Sequence, residues 1–394
     1  MWHLALTFKA PEILNHLYAT SRDGIHWEKP RLDIVGPDNR FAPPSYAQGH
    51  AGVWLTVRED SDEANPDARY KGFIQHDPLY HLTSADGLRW KEVGVAARYT
   101  DDTTTAVWHP VRREYLKIGR FCPDGHSIAL RLMMTCVGGQ ELAKGNSPWH
   151  LVMLPDGEDL AADADAQFYY MPAFPHGGMY VGLLGVYHAG PESGLSETEL
   201  TWSRDGLEWH RFARGTPVLA RGEAGSWDAG FQVVPCGPIE VGDELWLFYS
   251  AYTGSHHGPL GEGAIGLARL RADGFASLDA DERGGDALTR AFALEGNALE
   301  INADAKGSVI VEVMGTSGET LTESEPFTGD ACHHVVAWKG RRDLAALRGT
   351  EVRLLFRLRQ ARLYAFQVAD QTDFDAAGRE RARNHRPERD PWEE

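Results

Sequence analysis

The sequence predicts an all-β protein, a five-bladed β-propeller with an incomplete first blade followed by a small β-sandwich. Three observations carry this prediction: a turn motif recurs along the first 280 residues, glycine and aromatic residues are abundant, and apolar and polar residues alternate near the C-terminus. The 394 residues include 42 Gly, 12 Trp, 13 Tyr and 15 Phe. Many glycines beside many aromatic residues favour short strands and tight turns over a helical bundle.

The recurring motif is Ser-x-Asp-Gly-x-x-Trp, which reads SRDGIHW at 21–27, SADGLRW at 84–90 and SRDGLEW at 203–209. Degenerate copies near 147 (NSPWHLV) and 272 (RADGFASL) give a period of about 60 residues. In turns, Ser and Asp side chains accept hydrogen bonds from backbone N–H groups, and Gly adopts positive φ. We therefore assign the motif to hairpin turns, with the Trp packed between sheets, and not to catalysis.

Each complete period offers four strand-like segments, as in a propeller blade. The segments of the fifth blade are GFQVV, ELWLFYSAY, AIGLARL and FASL, the last at 275–278. In the first blade WHLALTF, ILNHLYAT and HWEKP match the second, third and fourth strands, so an inner strand is absent from the sequence. Because an open inner edge leaves backbone groups unpaired, we expect a three-stranded blade around a wide funnel, or a start further upstream.

From about residue 293 the pattern changes to half-buried strands. NALEIN and SVIVEV flank a DAKG turn, and HHVVAW, EVRLLFRL and RLYAFQV follow. This alternation predicts a β-sandwich. We assign 1–290 to the propeller, 291–370 to the sandwich and 371–394, with twelve charges, to a mobile tail that makes a poor inner strand.

Charge and composition limit the function classes. With 39 basic and 57 acidic residues the net charge is −18, which disfavours a nucleic-acid partner. We see no apolar run long enough to span a membrane and no signal peptide, so we expect a cytoplasmic protein, or a secreted one if the N-terminus is truncated. No CxxC pair, P-loop, GxSxG or Rossmann motif appears, and we expect no cofactor.

The stretches YATSRDGIHWEKP, RYKGF, SWDAG, IGLARLRADGFASLDADERGGDALTR, LEGNALEIN and VRLLFRLRQARLYAFQ resemble glycoside hydrolases of family 32 and their relatives in families 43 and 68. The resemblance covers most of residues 1–368 and extends to a group of bacterial proteins described as similar to the family 32 N-terminal domain. It implies hydrolysis of a furanoside or related glycoside by two or three carboxylates in the propeller funnel. Those families commonly place an acid at the start of blade one's inner strand, which this sequence lacks.

Blade topology selects positions independently of the resemblance. In a four-stranded blade, the start of the inner strand lies at the same rim as the loop between the second and third strands. These two parts of every blade therefore meet at one face of the funnel. Glycoside hydrolysis needs a protonated acid and a second carboxylate, and Asp102, Asp228 and Glu199 are the catalytic candidates. The alternative is that Asp102 and Asp228 cap strands at the blade entrance.

Further positions of this kind are candidates for binding an oligosaccharide or glycoside: Asp165, Gln48, Arg120, His126, His188, Tyr252, His256 and His257. Arg120 either orients or neutralises a carboxylate. The adjacent imidazoles of His256 and His257 bond sugar hydroxyls or belong to a solvated loop; a metal site is disfavoured because adjacent residues seldom face one ion. The sequence thus predicts a glycosidase, with a carbohydrate-binding propeller without turnover as the alternative; the oligomeric state stays open.

Overall fold

The computed structural model describes residues 2–10, 13–41, 55–74, 78–98, 101–122, 130–139, 148–190 and 193–384. The chain divides into two compact units, one of residues 1–237 and 248–267 and the other of residues 238–247 and 268–394. Five sheets follow one another along the chain as the blades of a propeller, which confirms the predicted architecture. Neither α-helix in the described ranges has the length and apolar character needed to cross a bilayer.

Blade one has three rows of strands. It contains β1 (Trp2–Ala10), β2 (Ile13–Ser21), β3 (Trp27–Glu28) and β4 (Arg40–Phe41). Strand β1 pairs with one edge of β2 along its whole length, and β3 and β4 pair with the other edge. Among the residues described, no strand pairs with the remaining edge of β1.

Blades two to four are antiparallel meanders in the predicted order. Blade two contains β5 (Leu55–Glu59), β6 (Tyr70–Ile74), β7 (Leu79–Ser84) and β8 (Trp90–Ala97). Blade three contains β9 (Thr105–His109), β10 (Glu114–Phe121), β11 (Leu132–Gly138) and β12 (His150–Met153), and helix α1 (Gly157–Ala162) follows it. Blade four contains β13 (Ala166–Tyr170), β14 (Ala173–His176), β15 (Met179–His188), β16 (Leu195–Ser203), β17 (Trp209–Arg211) and β18 (Pro217–Leu219).

Blade five differs from the prediction in its outer strand. It contains β19 (Gln232–Val233), β20 (Ile239–Val241), β21 (Glu244–Tyr252) and β22 (Gly263–Arg271). The FASL segment is not its fourth strand, because the next strand, β23 (Leu278–Ala280), pairs with a strand of the second unit. The physical reason is that Ala280 packs against the apolar core of that unit.

The core of the propeller lies between neighbouring blades. Tyr18 and Phe41 of blade one pack with Ile74, Leu82 and Trp90 of blade two. Similar clusters join blade two to three and blade three to four. The ring of Trp27 in blade one lies edge-on to Phe248 in blade five, with centroids 5.9 Å apart, so the first and last blades also meet.

The three turn motifs have the predicted structural role. In the third copy, Ser203 Oγ accepts from Gly206 N at 2.8 Å, and Asp205 Oδ1 accepts from the amides of Leu207 and Glu208 at 2.8 Å each. The glycine has φ of 77°, and Trp209 Nε1 donates to its carbonyl at 2.9 Å. The copies at 21–27 and 84–90 repeat the Ser and Asp bonds.

The second unit contains one seven-stranded sheet around one apolar core. Its strands are β23, β24 (Gly285–Leu288), β25 (Phe292–Ala293), β26 (Ala298–Gly315), β27 (Thr320–Glu323), β28 (Phe327–Val335) and β29 (Glu351–Ala369). NALEIN and SVIVEV are one strand, β26, and DAKG is an irregularity inside it, where a Cβ on Gly307 would lie 2.2 Å from the Arg359 carbonyl. EVRLLFRL and RLYAFQV likewise merge into β29. The division of this sheet into a sandwich stays a prediction.

The C-terminal segment begins with a helix, α2 (Gln371–Asn384), which corrects the expectation of an irregular tail there. Gln371 N donates to Asn297 Oδ1 at 2.8 Å, and the Phe374 side chain is buried. These two attachments hold the start of a helix whose sequence lacks an apolar stripe. Residues 385–394 lie outside the described part of the chain.

Candidate active site

The site lies where blades three, four and five bring their inner strands together. Asp101 and Asp102 precede β9, Tyr169 lies on β13, and Phe231 precedes β19. Second strands end at the same rim, because Ala166 on β13 pairs with His188 on β15 and Gln232 on β19 with Ala251 on β21. The inner-strand starts and second-strand ends that the topological rule selected therefore lie at one rim. We call the set Asp101, Asp102, Arg120, Arg131, Gln167, Tyr169, Tyr187 and His256 the funnel cluster.

Arg120 binds both carboxyl groups of the Asp101–Asp102 pair. Its Nε and Nη2 donate to the two oxygens of Asp101 at 2.8 and 2.9 Å, and Nη2 also donates to Asp102 Oδ1 at 2.5 Å. Asp101 accepts further bonds from the amide of Asp102 at 2.7 Å and from the Cys122 thiol at 3.4 Å. Both oxygens of Asp101 therefore accept hydrogen bonds from Arg120, whereas Asp102 accepts from Arg120 through Oδ1 alone.

The two adjacent carboxyl groups have pKa values shifted in opposite directions. Burial alone would raise the pKa of Asp101, but the hydrogen bonds and charge of Arg120 outweigh it and hold that pKa below its usual range. Burial raises the pKa of Asp102 to about 6, with the Asp101 charge adding to this effect and Arg120 opposing it. The Asp102 side chain keeps 45% of its surface accessible, so a ligand can reach the carboxyl.

Two guanidinium groups pack against the tyrosines of blade four. The centre of Arg120 lies 4.4 Å from the Tyr169 ring centroid, and that of Arg131 lies 5.0 Å from it and 5.3 Å from the Tyr187 centroid. Arg131 Nη1 also donates to Gln167 Oε1. Cations over aromatic faces are attracted by the ring quadrupole, so these contacts order the wall of the site.

His256 completes this wall from blade five. Its Nε2 lies 3.0 Å from the Tyr169 hydroxyl and its Nδ1 3.3 Å from the Tyr187 hydroxyl. Its amide donates to the Gly194 carbonyl at 2.8 Å, and its ring centroid lies 4.9 Å from that of Phe231. Burial, then the charges of Arg131, His257 and Arg120, lower the pKa of His256, so the imidazole is neutral at pH 7.

The neighbouring candidates lie at the same rim but contact other groups. The His257 ring is edge-on to Tyr187, with centroids 5.8 Å apart. His188 Nδ1 pairs with Asp163 Oδ2 at 2.7 Å, while the exposed Asp165 accepts from Ala189 N through its backbone carbonyl. Tyr252 uses its backbone to join Gly230 and Phe231. The structure thus brings Asp102, Arg120 and His256 together; Gln48 and His126 lie outside the described residues.

Glu199 does not face the funnel, which corrects its assignment as a catalytic candidate. It is buried in the middle of β16, where Oε2 accepts from Arg211 Nε at 2.8 Å and Oε1 from Gly215 N at 2.9 Å. Arg211 also binds the buried Asp159 at 2.5 Å. Strand β16 begins at Leu195, so Glu199 is too far along it to reach the rim, and its charge holds Arg211 in place.

Asp228 lies in a separate group beside blade five. Its oxygens accept from Ser226 Oγ at 2.8 Å and from the Tyr249 hydroxyl at 3.1 Å. The Trp227 ring stacks on Tyr249 with centroids 5.7 Å apart and remains 39% exposed. An accessible carboxylate next to an exposed indole suits a sugar contact, but neither of these hydrogen bonds joins Asp228 to the funnel cluster.

Arg131, Tyr169 and Tyr187 were missed at the sequence level. Arg131 immediately precedes the third strand of blade three, and Tyr187 lies one residue before the end of the second strand of blade four. Extending the loop rule by one residue would have found Tyr187, whereas Arg131 lies inside SIALRLMM, a segment that the sequence reading assigned to a strand. Within the described part of the chain, no three His, Cys, Asp or Glu side chains are grouped as metal ligands.

Comparison with protein-family profiles finds no family that matches the chain. An uncharacterized protein of Mycobacterium tuberculosis, Rv1502, is 35% identical over 94 residues, which are 22% of this chain and 26% of that protein. The match therefore spans about a quarter of the length of the curated relatives.

Solved structures are similar at low identity. An N-acetylgalactosamine deacetylase from F. plautii has a TM-score of 0.46 and 15% identity, over 69% of this chain and 90% of that one. A family 43 arabinoxylan arabinofuranohydrolase from Bacillus subtilis has a TM-score of 0.41 and 10% identity, over 90% and 87%. The Bombyx mori family 32 β-fructofuranosidase BmSUC1 has a TM-score of 0.39 and 12% identity, over 93% and 89%.

Proposed function

We propose that the propeller is the catalytic domain of a glycoside hydrolase that acts on a furanoside or similar sugar linkage, with Asp102 as the general acid. The observation that carries the proposal is the carboxyl pair held by Arg120, in which Asp101 is the permanent anion and Asp102 the group with the raised pKa. Pairs of carboxyl groups with separated pKa values are the usual basis of acid–base roles in glycosidases.

The hydrogen bonding of Asp102 suits proton donation to a leaving oxygen. Arg120 fixes Oδ1, and a side-chain hydrogen bond with Asp101 favours the protonated form of Asp102. Tyr169, Tyr187 and the neutral His256 supply aromatic faces and polar atoms of the kind that bind sugars. A substrate held against this wall would place its glycosidic oxygen near Asp102.

Asp228 is our candidate for the second carboxylate. Its partners, Ser226 and Tyr249, are hydroxyl groups, whereas Glu199 is paired with the Arg211 guanidinium. The exposed Trp227 beside it offers a surface on which a sugar ring can stack. Glu199 is withdrawn from the catalytic set.

A carbohydrate-binding propeller without turnover is the second candidate function. It is favoured by the engagement of Glu199 with Arg211 and of both Asp101 oxygens with Arg120. Asp102 is then the carboxyl of the described funnel cluster that Arg120 binds through one oxygen alone. Such a protein would bind sugars through the same aromatic wall and release them unchanged.

The experiment is a hydrolysis screen against aryl glycosides and oligosaccharides, repeated with Asp102→Asn and Asp228→Asn. Removing an essential acid or base lowers turnover by at least about 10²-fold. Asp62→Asn, at an exposed loop position, is the matched control and should keep full activity. Sugar binding without hydrolysis across the panel would favour the second candidate, and normal turnover in a folded Asp102→Asn would remove Asp102 as the acid.

A further inference from the structure

Arg131 is a buried cation without a carboxylate partner in the described chain. Arg131 is 7% exposed. Its one hydrogen bond to a described residue runs from Nη1 to the neutral amide oxygen of Gln167. Nε is enclosed and has no partner, and Nη2 donates to none of the described residues. Among the described residues, none therefore accepts a hydrogen bond from the Nε–Nη2 edge of this guanidinium.

Arg120 shows what the same edge does when an anion is present. Its Nε and Nη2 hold the two oxygens of Asp101 as a bidentate pair. Both arginines pack on Tyr169, so the two guanidinium groups line one wall of the site. One of them has a protein carboxylate on its bidentate edge and the other does not.

A buried charge is costly when no hydrogen-bonded counter-ion repays its desolvation. The charge of Asp102 acts on Arg131 from nearby, but no hydrogen bond joins the two side chains among the described residues. The faces of Tyr169 and Tyr187 offset a part of this cost. The chain does not lack carboxylates, since it has 57 acidic and 39 basic residues. A buried guanidinium to which no described carboxylate is hydrogen-bonded, within the wall of the candidate active site, is the arrangement expected where the ligand brings the negative charge.

We propose that the sugar bound in the funnel carries an anionic group, a carboxylate as in a uronic acid or a phosphate ester, which Arg131 recognises through Nη2. The inference rests on the proposed sugar-binding function and specifies its substrate class. The two arginines then have different roles: Arg120 binds the Asp101 carboxylate beside the reacting carboxyl of Asp102, and Arg131 binds the anionic group of the substrate.

Calorimetric binding to matched sugars tests the proposal. Each neutral sugar of a panel is compared with its uronate and with its 6-phosphate, so that the two sources of the anion are distinguished. We expect at least one acidic member to bind about tenfold or more tightly than its neutral partner, as a hydrogen bond to a charged group implies. If no acidic sugar binds more tightly than its neutral partner, the proposal is wrong.

Two variants assign the preference to Arg131. Arg131→Gln should reduce the preference to less than about twofold, and Arg131→Lys should retain a part of it because the charge remains without the planar fork. Arg353→Gln, which removes an exposed arginine of the second unit, should retain it fully. An unchanged preference in Arg131→Gln, or, where that variant does not fold, an undiminished preference in a folded Arg131→Lys, overturns the assignment. Because binding is measured without turnover, absence of hydrolysis would refute the glycosidase proposal and leave this one standing.

Discussion

Asp101 and Asp102 are neighbours in sequence, yet a single arginine gives them different chemistry. Arg120 presents its bidentate edge to Asp101 and one shared nitrogen to Asp102. The sequence showed two aspartates at an inner-strand start and an arginine at the end of the next strand. It did not show which aspartate receives the bidentate contact, because that depends on side-chain geometry across two strands.

The first prediction at this scale concerns pH. If Asp102 is the acid, kcat/KM falls as the pH rises through the pKa of about 6, because the proton is lost. Asp101 raises this pKa, and Arg120 and Arg131 lower it. Arg120→Gln should therefore move the descending limb to higher pH in a rate profile. A limb that stays in place would show that another group supplies the proton.

Glu199 gives the second prediction. Glu199→Gln removes one of the two buried anions that face Arg211, and because Asp159 still pairs with Arg211 we expect a loss of about 2 kcal/mol of unfolding free energy, as for a buried hydrogen bond to a charged group. Activity of the folded protein should be unchanged. Glu197→Gln on the same strand is the control, since its pair with Arg221 is partly exposed and should contribute less than about 1 kcal/mol. Denaturant unfolding measures both, and equal losses would contradict the burial argument.

For individual strands and turns, the sequence predicted hydrogen bonds between residues close in the chain, but it did not predict contacts between distant strands. The Ser-x-Asp-Gly-x-x-Trp turns follow from side-chain bonds within seven residues, and the structure has them in all three copies. DAKG was misread as a turn because Gly307 also permits close approach of the Arg359 backbone, which lies far along the chain. Glu199 was misplaced for a similar reason, since its partner Arg211 lies in another strand.

Strand β10 carries an unusual buried residue, Lys117, which is 1% exposed and donates to the Ala96 carbonyl. Burial lowers its pKa from the ordinary 10.5 to about 8. The unfolded chain therefore binds more protons than the folded one between these values, and stability rises as the pH increases across that interval.

The third prediction follows from this titration. Lys117→Met should stabilise the protein at pH 7 by on the order of 2 kcal/mol, because no charge then opposes burial. The advantage should shrink as the pH rises from 8 towards 10. Unfolding curves at several pH values measure it, and an advantage independent of pH would mean that packing and not charge is responsible.

For the whole molecule, the sequence predicted the number of blades from a repeat and left the closure of the ring open. The structure joins blade one to blade five through Trp27 and Phe248. A repeat specifies what each blade contains, but it does not say which side chains of the first and last copies meet. The sequence prediction placed the domain boundary near 290, whereas β23 and β24, which precede that position, pair with β29 of the second unit.

The fourth prediction tests the closure. Trp27→Ala should lower the unfolding free energy by about 2 kcal/mol and raise amide hydrogen exchange in both β2 and β21. Trp90→Ala, in the second copy of the same motif, is the matched control and should raise exchange in blades one and two. If β21 responds equally to both variants, the contact between Trp27 and Phe248 does not hold the ring closed.

Strand β29 has a consequence for biosynthesis. Strands β23, β24 and β25 all pair with it, and so does β26, although all four are translated before it. Each of blades two to four can form from segments that leave the ribosome in succession. In the second unit, by contrast, Leu278 of β23 cannot pair with Leu363 of β29 until β29 has been synthesised. Pairings distant in sequence form slowly and expose apolar strands meanwhile. We therefore expect the nascent second unit to expose apolar strands until β29 has been synthesised.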